Sequence, residues 1–230
     1  MRPLTDARRA LFEVAFTDGH QHVEDFADSG PTPLVFRLHE GAKVRTRGGQ
    51  LEVGGSLFPA DRTLPAGEFV VQCARCGPPK AGVSQSRNAY ARVVFSPGAP
   101  VKWEQLEGQV RVTSQAISPD AETEEWVKTI HLRVEDGSVA FAEPGFGERL
   151  EQLVHEHGAE DVGELQQLST AGLVDFRIVE ANDVLQTAEL EGRRSVAMQS
   201  GVGDGTYGVY GGYAADGSLT RLVVDFDLVG

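Results

Sequence analysis

The chain has 230 residues, 40% hydrophobic and 24% charged, a composition that builds a packed core and excludes a disordered chain. No apolar run approaches the roughly 20 residues a membrane helix needs, and with only 2 cysteines a secreted disulfide scaffold is excluded as well. The 21 basic and 34 acidic residues leave a net charge of −13, which repels phosphate backbones and argues against nucleic-acid binding.

Near the start, Thr5 is placed to cap a short helix running to Phe16, with Leu11, Phe12, Ala15 and Phe16 on one side. Arg2, Arg8 and Arg9 accompany only a brief apolar stretch, Ala10-Leu11-Phe12, which Glu13 interrupts, and no small-residue cleavage site follows. An export signal is therefore not expected; a cytoplasmic protein without membrane association is. From Pro33 the pattern alternates as strands do: 34–38, then 43–47 and 50–53 flanking Gly48-Gly49, which predicts a hairpin. Strands are predicted next at 68–72, 89–95, 109–114 and 126–134, with Asp136-Gly137 turning into Val139-Ala140-Phe141. The stretch 147–157 is helical, since Leu150, Leu153 and Val154 share a face and Gly158 is placed to end it; 161–168 offers a second short helix. Strands return at 174–179, 184–190 and 195–198, and 207–213 with 218–227 predict a hairpin around Asp216-Gly217. Strands outnumber helices and do not alternate with them. The expected fold is α+β: mainly antiparallel sheet, one or two helices within 147–168 and a short N-terminal helix, in a single domain over 1–230.

Several stretches carry a family resemblance. The segment from Ser200 through Gly203-Asp204-Gly205-Thr206-Tyr207 to Tyr210, followed by Asp216-Gly217 and the closing Val223-Val224-Asp225-Phe226, resembles the bacterial domain of unknown function family 4241. Leu64-Pro65-Ala66-Gly67-Glu68-Phe69-Val70-Val71 resembles that family's Pro-Gly-x-Tyr-x-Val strand. Ala89–Ser96 with Val101-Lys102-Trp103-Glu104, and Val134–Glu143, resemble further family segments, so the likeness spans roughly residues 51–226. The chain departs from the pattern at Gly208, where the family often has Pro, and near Ala142, where it has an acid. The resemblance implies a bacterial cytosolic protein and no particular activity. Some members resemble small acidic proteins found beside secreted toxins, an analogy that implies an immunity role.

Individual motifs mostly exclude chemistry. Gly203-x-Gly205-x-x-Gly208 has the spacing of a dinucleotide fingerprint, but that site needs a helix to follow, and Val209-Tyr210-Gly211-Gly212-Tyr213 reads as strand. The glycines around Asp204 instead suggest positive-φ positions at Gly203 and Gly205, or close approach by another group, with Asp204 bonding nearby amides. A rigid loop presenting Asp204, Tyr207 and Tyr210 to a ligand is the functional alternative. By strand alternation Tyr207 and Tyr213 share a face and Tyr210 takes the other. Cys73-x-x-Cys76 has redox or half-zinc spacing, yet Gly77-Pro78-Pro79 blocks the helix a redox motif requires, and zinc would need His20 and His22 or His155 and His157 brought in from elsewhere. Two reduced thiols in a strand are expected. No Gly-x-Ser-x-Gly elbow or His-Glu-x-x-His helix occurs. His39 and His131 read as packed strand residues, and Trp103, Trp126, Tyr90, Phe95 and Phe141 as core aromatics.

Charge is unevenly distributed. Residues 145–191 hold 11 acids against Arg149 and Arg177, a net of −9. Either this is a solubilising face or it accelerates the docking of a basic partner. The expected function is accordingly non-enzymatic: an acidic binding protein of immunity type that docks a basic partner such as a toxin. No cofactor, metal or catalytic residue is assigned. Binding residues are expected at Asp204, Tyr207, Tyr210, Glu160, Asp161 and Glu164, with Gly203 and Gly205 shaping the loop. The alternative is a small-ligand enzyme or sensor with its site at the Gly-rich loop around Asp204.

Overall fold

The structure is a computed structural model that describes residues 4–26, 28–46, 49–80, 85–115, 122–159 and 161–229. Helix α1 (Asp6–Val14) comes first, then β1 (Gln21–Phe26), β2 (Gly30–Thr46), β3 (Leu51–Val53), β4 (Ser56–Phe58), β5 (Gly67–Gly77) and β6 (Arg87–Val94). The middle holds β7 (Lys102–Gln105), β8 (Gly108–Gln115), β9 (Glu122–Thr129), β10 (His131–Val134) and β11 (Ser138–Ala142). Helices α2 (Phe146–His157) and α3 (Val162–Thr170) follow, and β12 (Phe176–Ala181), β13 (Gln186–Leu190), β14 (Arg193–Gln199), β15 (Gly205–Tyr213) and β16 (Leu219–Asp225) complete the chain.

The strands form two antiparallel sheets. One runs β1-β2-β5-β6-β16-β15-β10 with β7 also on β15; the other runs β12-β13-β14-β11-β3-β4-β8-β9. Their facing sides share one apolar core: Val44, Val71, Val93, Leu222 and Val224 from the first sheet meet Leu51, Val53, Phe58, Phe141 and Val196 from the second. The helices cover outer faces. α1 lays Leu11 and Phe12 on Phe36, Tyr90, Tyr210 and Val223 of the first sheet, and its start is fixed by the Thr5 side chain accepting from Arg8 N. α2 and α3 place Phe146, Leu153 and Leu165 on Phe176 and Leu190 of the second sheet. Mainly antiparallel sheet with a short N-terminal helix and two helices inside the 146–170 region is the expected α+β class. No described helix is long and apolar enough to cross a membrane.

Local pairing departs from expectation at three places. The strands flanking Gly48-Gly49 do not form a hairpin: β2 pairs with β1 and β5, whereas β3 pairs with β4 and β11 in the other sheet. Both segments point apolar side chains into the same inter-sheet core, so their alternation mimics that of paired strands. The two strands predicted at 34–38 and 43–47 are one strand, β2, kinked by a register shift between Glu40 and Lys43. The single strand predicted at 126–134 breaks at Ile130, where Thr129 Oγ1 accepts from His131 N, and its halves β9 and β10 join different sheets. The C-terminal hairpin β15–β16 forms as expected. Gly217 has φ 83° and Asp216 Oδ1 accepts from Ser218 N at 2.9 Å.

Candidate functional site

The Gly-rich loop is a tight crossing of strands, and its chemistry differs from the sequence expectation. Gly203 has φ 99°, but Gly205 opens β15 without a positive φ. The glycine that close approach requires is Gly201, where a Cβ would lie 2.0 Å from the Asn88 carbonyl oxygen. Ser200, rather than Asp204, ties the turn: its Oγ donates to the Gly203 carbonyl at 2.6 Å and accepts from Gly203 N at 3.1 Å. Asp204 is exposed. Tyr207 and Tyr210 do take opposite faces, yet both are core residues, 3% and 1% exposed, so the loop presents neither to a ligand. Tyr207 donates its hydroxyl to Gly203 O at 2.7 Å and packs edge-on against Phe226. Tyr210 lies against Phe12 of α1. A strand, not a helix, follows the loop, as the rejected dinucleotide reading requires.

The acidic candidates separate. Glu160 lies outside the described residues. Asp161 is the N-cap of α3 and accepts from Glu164 N at 2.9 Å, and Glu164 sits in the first turn, where the helix dipole favours an acid. Four carboxylates of the acidic segment, Glu148, Glu156, Glu189 and Glu191, are paired locally or by arginines from elsewhere. Arg149 bridges Glu156 and Glu191, Arg111 of β8 reaches Glu148 at 3.0 Å, and Arg194 joins Arg177 on Glu189. The sequence count of charge overstates the field this surface projects.

Cys73 points into the inter-sheet core and Cys76 into the α1 layer, on opposite faces of β5. Burial pushes both thiols up to about 12. This suppresses thiolate formation and leaves the pair without the geometry of a redox couple. Among the described residues, no group of three His, Cys, Asp or Glu side chains gathers as metal ligands would. Trp126 departs from the core-aromatic expectation: it is 51% exposed on β9, the edge strand of the second sheet.

Two concavities stand out. The larger is an open groove of about 1360 Å³ on the outer face of the second sheet, beside α2 and α3. Its floor is built of small or short polar side chains, among them Ser138, Ala140, Ala197 and Gln186, because the helices cover only the Phe176–Leu190 end of that face. Glu52 of β3 lies at the groove's end. Its carboxylate accepts from Gly145 N at 3.0 Å and Gly147 N at 3.1 Å, capping α2, which has no side-chain cap of its own. Burial raises the Glu52 pKa against the lowering effect of those amides. Sequence reasoning missed this carboxylate, since its partners lie more than ninety residues away. The smaller concavity, about 460 Å³, opens between the two sheets beside the Gly-rich loop and is lined by Arg75, Ser86, Arg87, Asn88, Asp136, Asp183 and Gly203, among others.

Two antiparallel sheets sheathed by helices, with one outer face left open as a groove, define a helix-flanked β-sandwich. The chain belongs to the DUF4241 family, described as proteins of unknown function, whose family model matches residues 58–224. That span takes in both concavities' β5–β16 walls; α1 and β1–β3 precede it. No curated protein and no solved structure matches the chain.

Proposed function

We propose that the protein is a non-enzymatic binding module whose groove on the second sheet receives a basic segment of a partner protein. The observation that carries this reading is the excess of acid around an uncovered, small-residue floor. Glu52, Glu135, Asp136, Glu151 and Asp183 line the groove. Of its two arginines, Arg111 is held by Glu148 and Arg133 by Glu135, each at 3.0 Å. Glu151 and Asp183 are exposed. Small floor residues admit an extended chain close to the sheet, and the acids favour lysine or arginine on it. An immunity protein that blocks a basic toxin surface is one such module; finding a toxin gene directly beside this one would support that form of the proposal.

Photo-crosslinking from a reactive residue placed at Ala140 or Ala197, in the native host, tests the reading. The expected product joins the groove to a basic segment, and capture falls as salt rises. Ala197→Trp, which fills the floor, should abolish capture, and Glu151→Lys should weaken it. Crosslinks to acidic segments, or capture indifferent to Ala197→Trp, would sink the groove reading.

A further inference from the structure

The edges of the two sheets differ in how they are finished. In the first sheet, β7 and β10 are four residues each and β1 is six. At one end of the second sheet, β12 is broken by a register shift between Ile178 and Glu180, and Gln166 of α3 accepts from Ile178 N at 2.8 Å. Shortness, bulges and covering side chains keep an edge from pairing with another chain. β9, at the other end of the second sheet, is the longest of these edges. Its eight residues keep an unbroken register with β8 from Gly108 opposite Thr129 to Gln115 opposite Glu122. Among the described residues, β8 is its single ladder partner.

Much of this edge extends past its own sheet. β4 pairs with β8 at Gln109 and Val110, so from Arg111 onward β8 and β9 continue as a two-stranded ribbon. Such a ribbon is marginal in water by itself. Its apolar side chains are uncovered. Ser56 lies opposite Val110 and shares a strand face with the core residue Phe58, so Val110, Val112 and Val127 continue the core-side face. The first sheet nevertheless leaves Val112 and Val127 42% and 44% exposed, and Trp126 is exposed on the opposite face.

The strand's own pattern selects what covers it. Two identical edges join about a two-fold axis perpendicular to the sheet, with residues of the same face directly opposite. Centred on Val127, that axis sets Val127 against its own copy, Trp126 against Lys128 of the second copy, and Glu125 against Thr129 of the second copy. The valine pair merges the two apolar patches. Lys128, exposed and 2.9 Å from Glu107, can lay its stem along the indole with its ammonium group still paired. No like charges stand opposite within the overlap 125–129, and the acids at positions 122 and 124 fall outside it. Centring on Trp126 would instead set Val127 against Glu125.

We propose that β9 pairs antiparallel with β9 of a second copy about an axis at Val127, forming a symmetric dimer in which the two second sheets become continuous. The groove floor lies on β11, β13 and β14, so this dimer and the partner-docking reading stand or fall separately. Salt also separates them. Each chain carries a net charge of −13, so screening should tighten the dimer, whereas it weakens capture of a basic segment.

Sedimentation velocity of the full chain from about 1 to 300 µM tests the proposal, with a monomer–dimer equilibrium expected at a Kd of roughly 1–100 µM for so small an interface. Val127→Glu sets like charges on the axis and should raise Kd tenfold or more with an unchanged thermal melt. Val127→Cys should form a disulfide-linked dimer under a mild thiol oxidant, since directly opposite residues lie within disulfide reach. Val112→Cys is the control: it is as exposed as Val127 but stands about 14 Å or more from its counterpart, and it should not crosslink. The native Cys73 and Cys76 are buried and do not compete. A chain that stays monomeric throughout, a Kd indifferent to Val127→Glu, or Val112→Cys crosslinking as readily as Val127→Cys would overturn the dimer. So would a purified monomer whose Val127→Cys variant crosslinks in host extract to a different protein, an outcome that gives the edge to a partner strand.

Discussion

Arg8 and Asp225 tie the first helix to the last strand, and breaking that tie should be among the most damaging single changes in the molecule. Arg8 Nε donates to Asp225 Oδ2 at 2.6 Å and Nη2 donates to Asp227 Oδ1 at 2.5 Å. The Arg8 and Asp225 side chains are 1% and 0% exposed, so water screens the pair little. Burial opposes the Arg8 charge, but bonds to Asp225 and Asp227 and their charges outweigh it and raise its pKa. Asp225→Ala removes the charge-assisted bond from Arg8, worth about 1.5–3 kcal/mol, and the one from Asp227 N, and leaves a buried guanidinium with only the partly exposed Asp227. The expected loss is about 3–5 kcal/mol. For a chain of this length that lowers the melting temperature by roughly 6–20 °C. Replacing both, Arg8→Met with Asp225→Leu, should recover most of the loss, because an apolar pair fits beside Phe12, Tyr90 and Tyr210 without stranding a charge. Urea titrations of the wild type, both single variants and the double variant give the coupling directly. A loss below about 1 kcal/mol for Asp225→Ala would refute the reasoning, since a pair so cheap to break must be hydrated and α1 only loosely docked.

Gly201→Ala should cost about 3 kcal/mol or more in urea titrations, because its Cβ would lie 2.0 Å from a backbone carbonyl, whereas Gly205→Ala, facing only the movable Tyr207 ring at 3.3 Å, should cost about 1 kcal/mol or less. Equal costs would mean that the loop yields at Gly201. Cys73 and Cys76 should resist a thiol-alkylating reagent at pH 8 in the folded protein and react fully once unfolded, since burial pushes both to about 12; rapid labelling of the folded chain would contradict their placement. The raised Glu52 carboxyl binds protons more readily folded than unfolded, so its contribution to stability falls as pH rises through the window above 4.5. Wild type should therefore lose stability relative to Glu52→Gln as pH rises above about 4.5, and parallel stability–pH curves would exclude that burial effect.

The elements were far more legible than their pairing. Thr5, Gly158 and Asp216-Gly217 mark ends and turns through local chemistry, so α1, α2 and the β15–β16 hairpin appear where their residues place them. Sheet membership is a non-local property. Val44 and Val53 both face the one core between the sheets, and nothing in their alternation says that they belong to opposite sides of it. The same ambiguity hid the break at Ile130. The charge count along the chain is incomplete for a related reason: residues 145–191 are strongly acidic, but Arg111, Arg193 and Arg194 reach in from outside the segment and pair with Glu148, Glu191 and Glu189.

The Gly-rich loop drew attention to the right neighbourhood through the wrong atoms. Its glycine spacing suggested Asp204, Tyr207 and Tyr210 as recognition groups, yet the two tyrosines serve opposite faces of a core strand. What the glycines permit is proximity. Gly201 lets the turn after β14 pass against the Asn88 backbone of β6, and the bonds that Ser200 makes there set Gly203 on the rim of the mouth between the sheets. Across that mouth stand Arg75, Ser86 and Asn88, which the β5–β6 pairing brings together from separate stretches of the chain. Their place emerges only from the folded pairing, in which Arg75 donates to the Ser86 carbonyl and Asn88 to the Gln199 carbonyl, so the rim is tied through neutral acceptors. A sequence supplies the inventory of charges, but only the folded pairing shows which of them are spent within the chain.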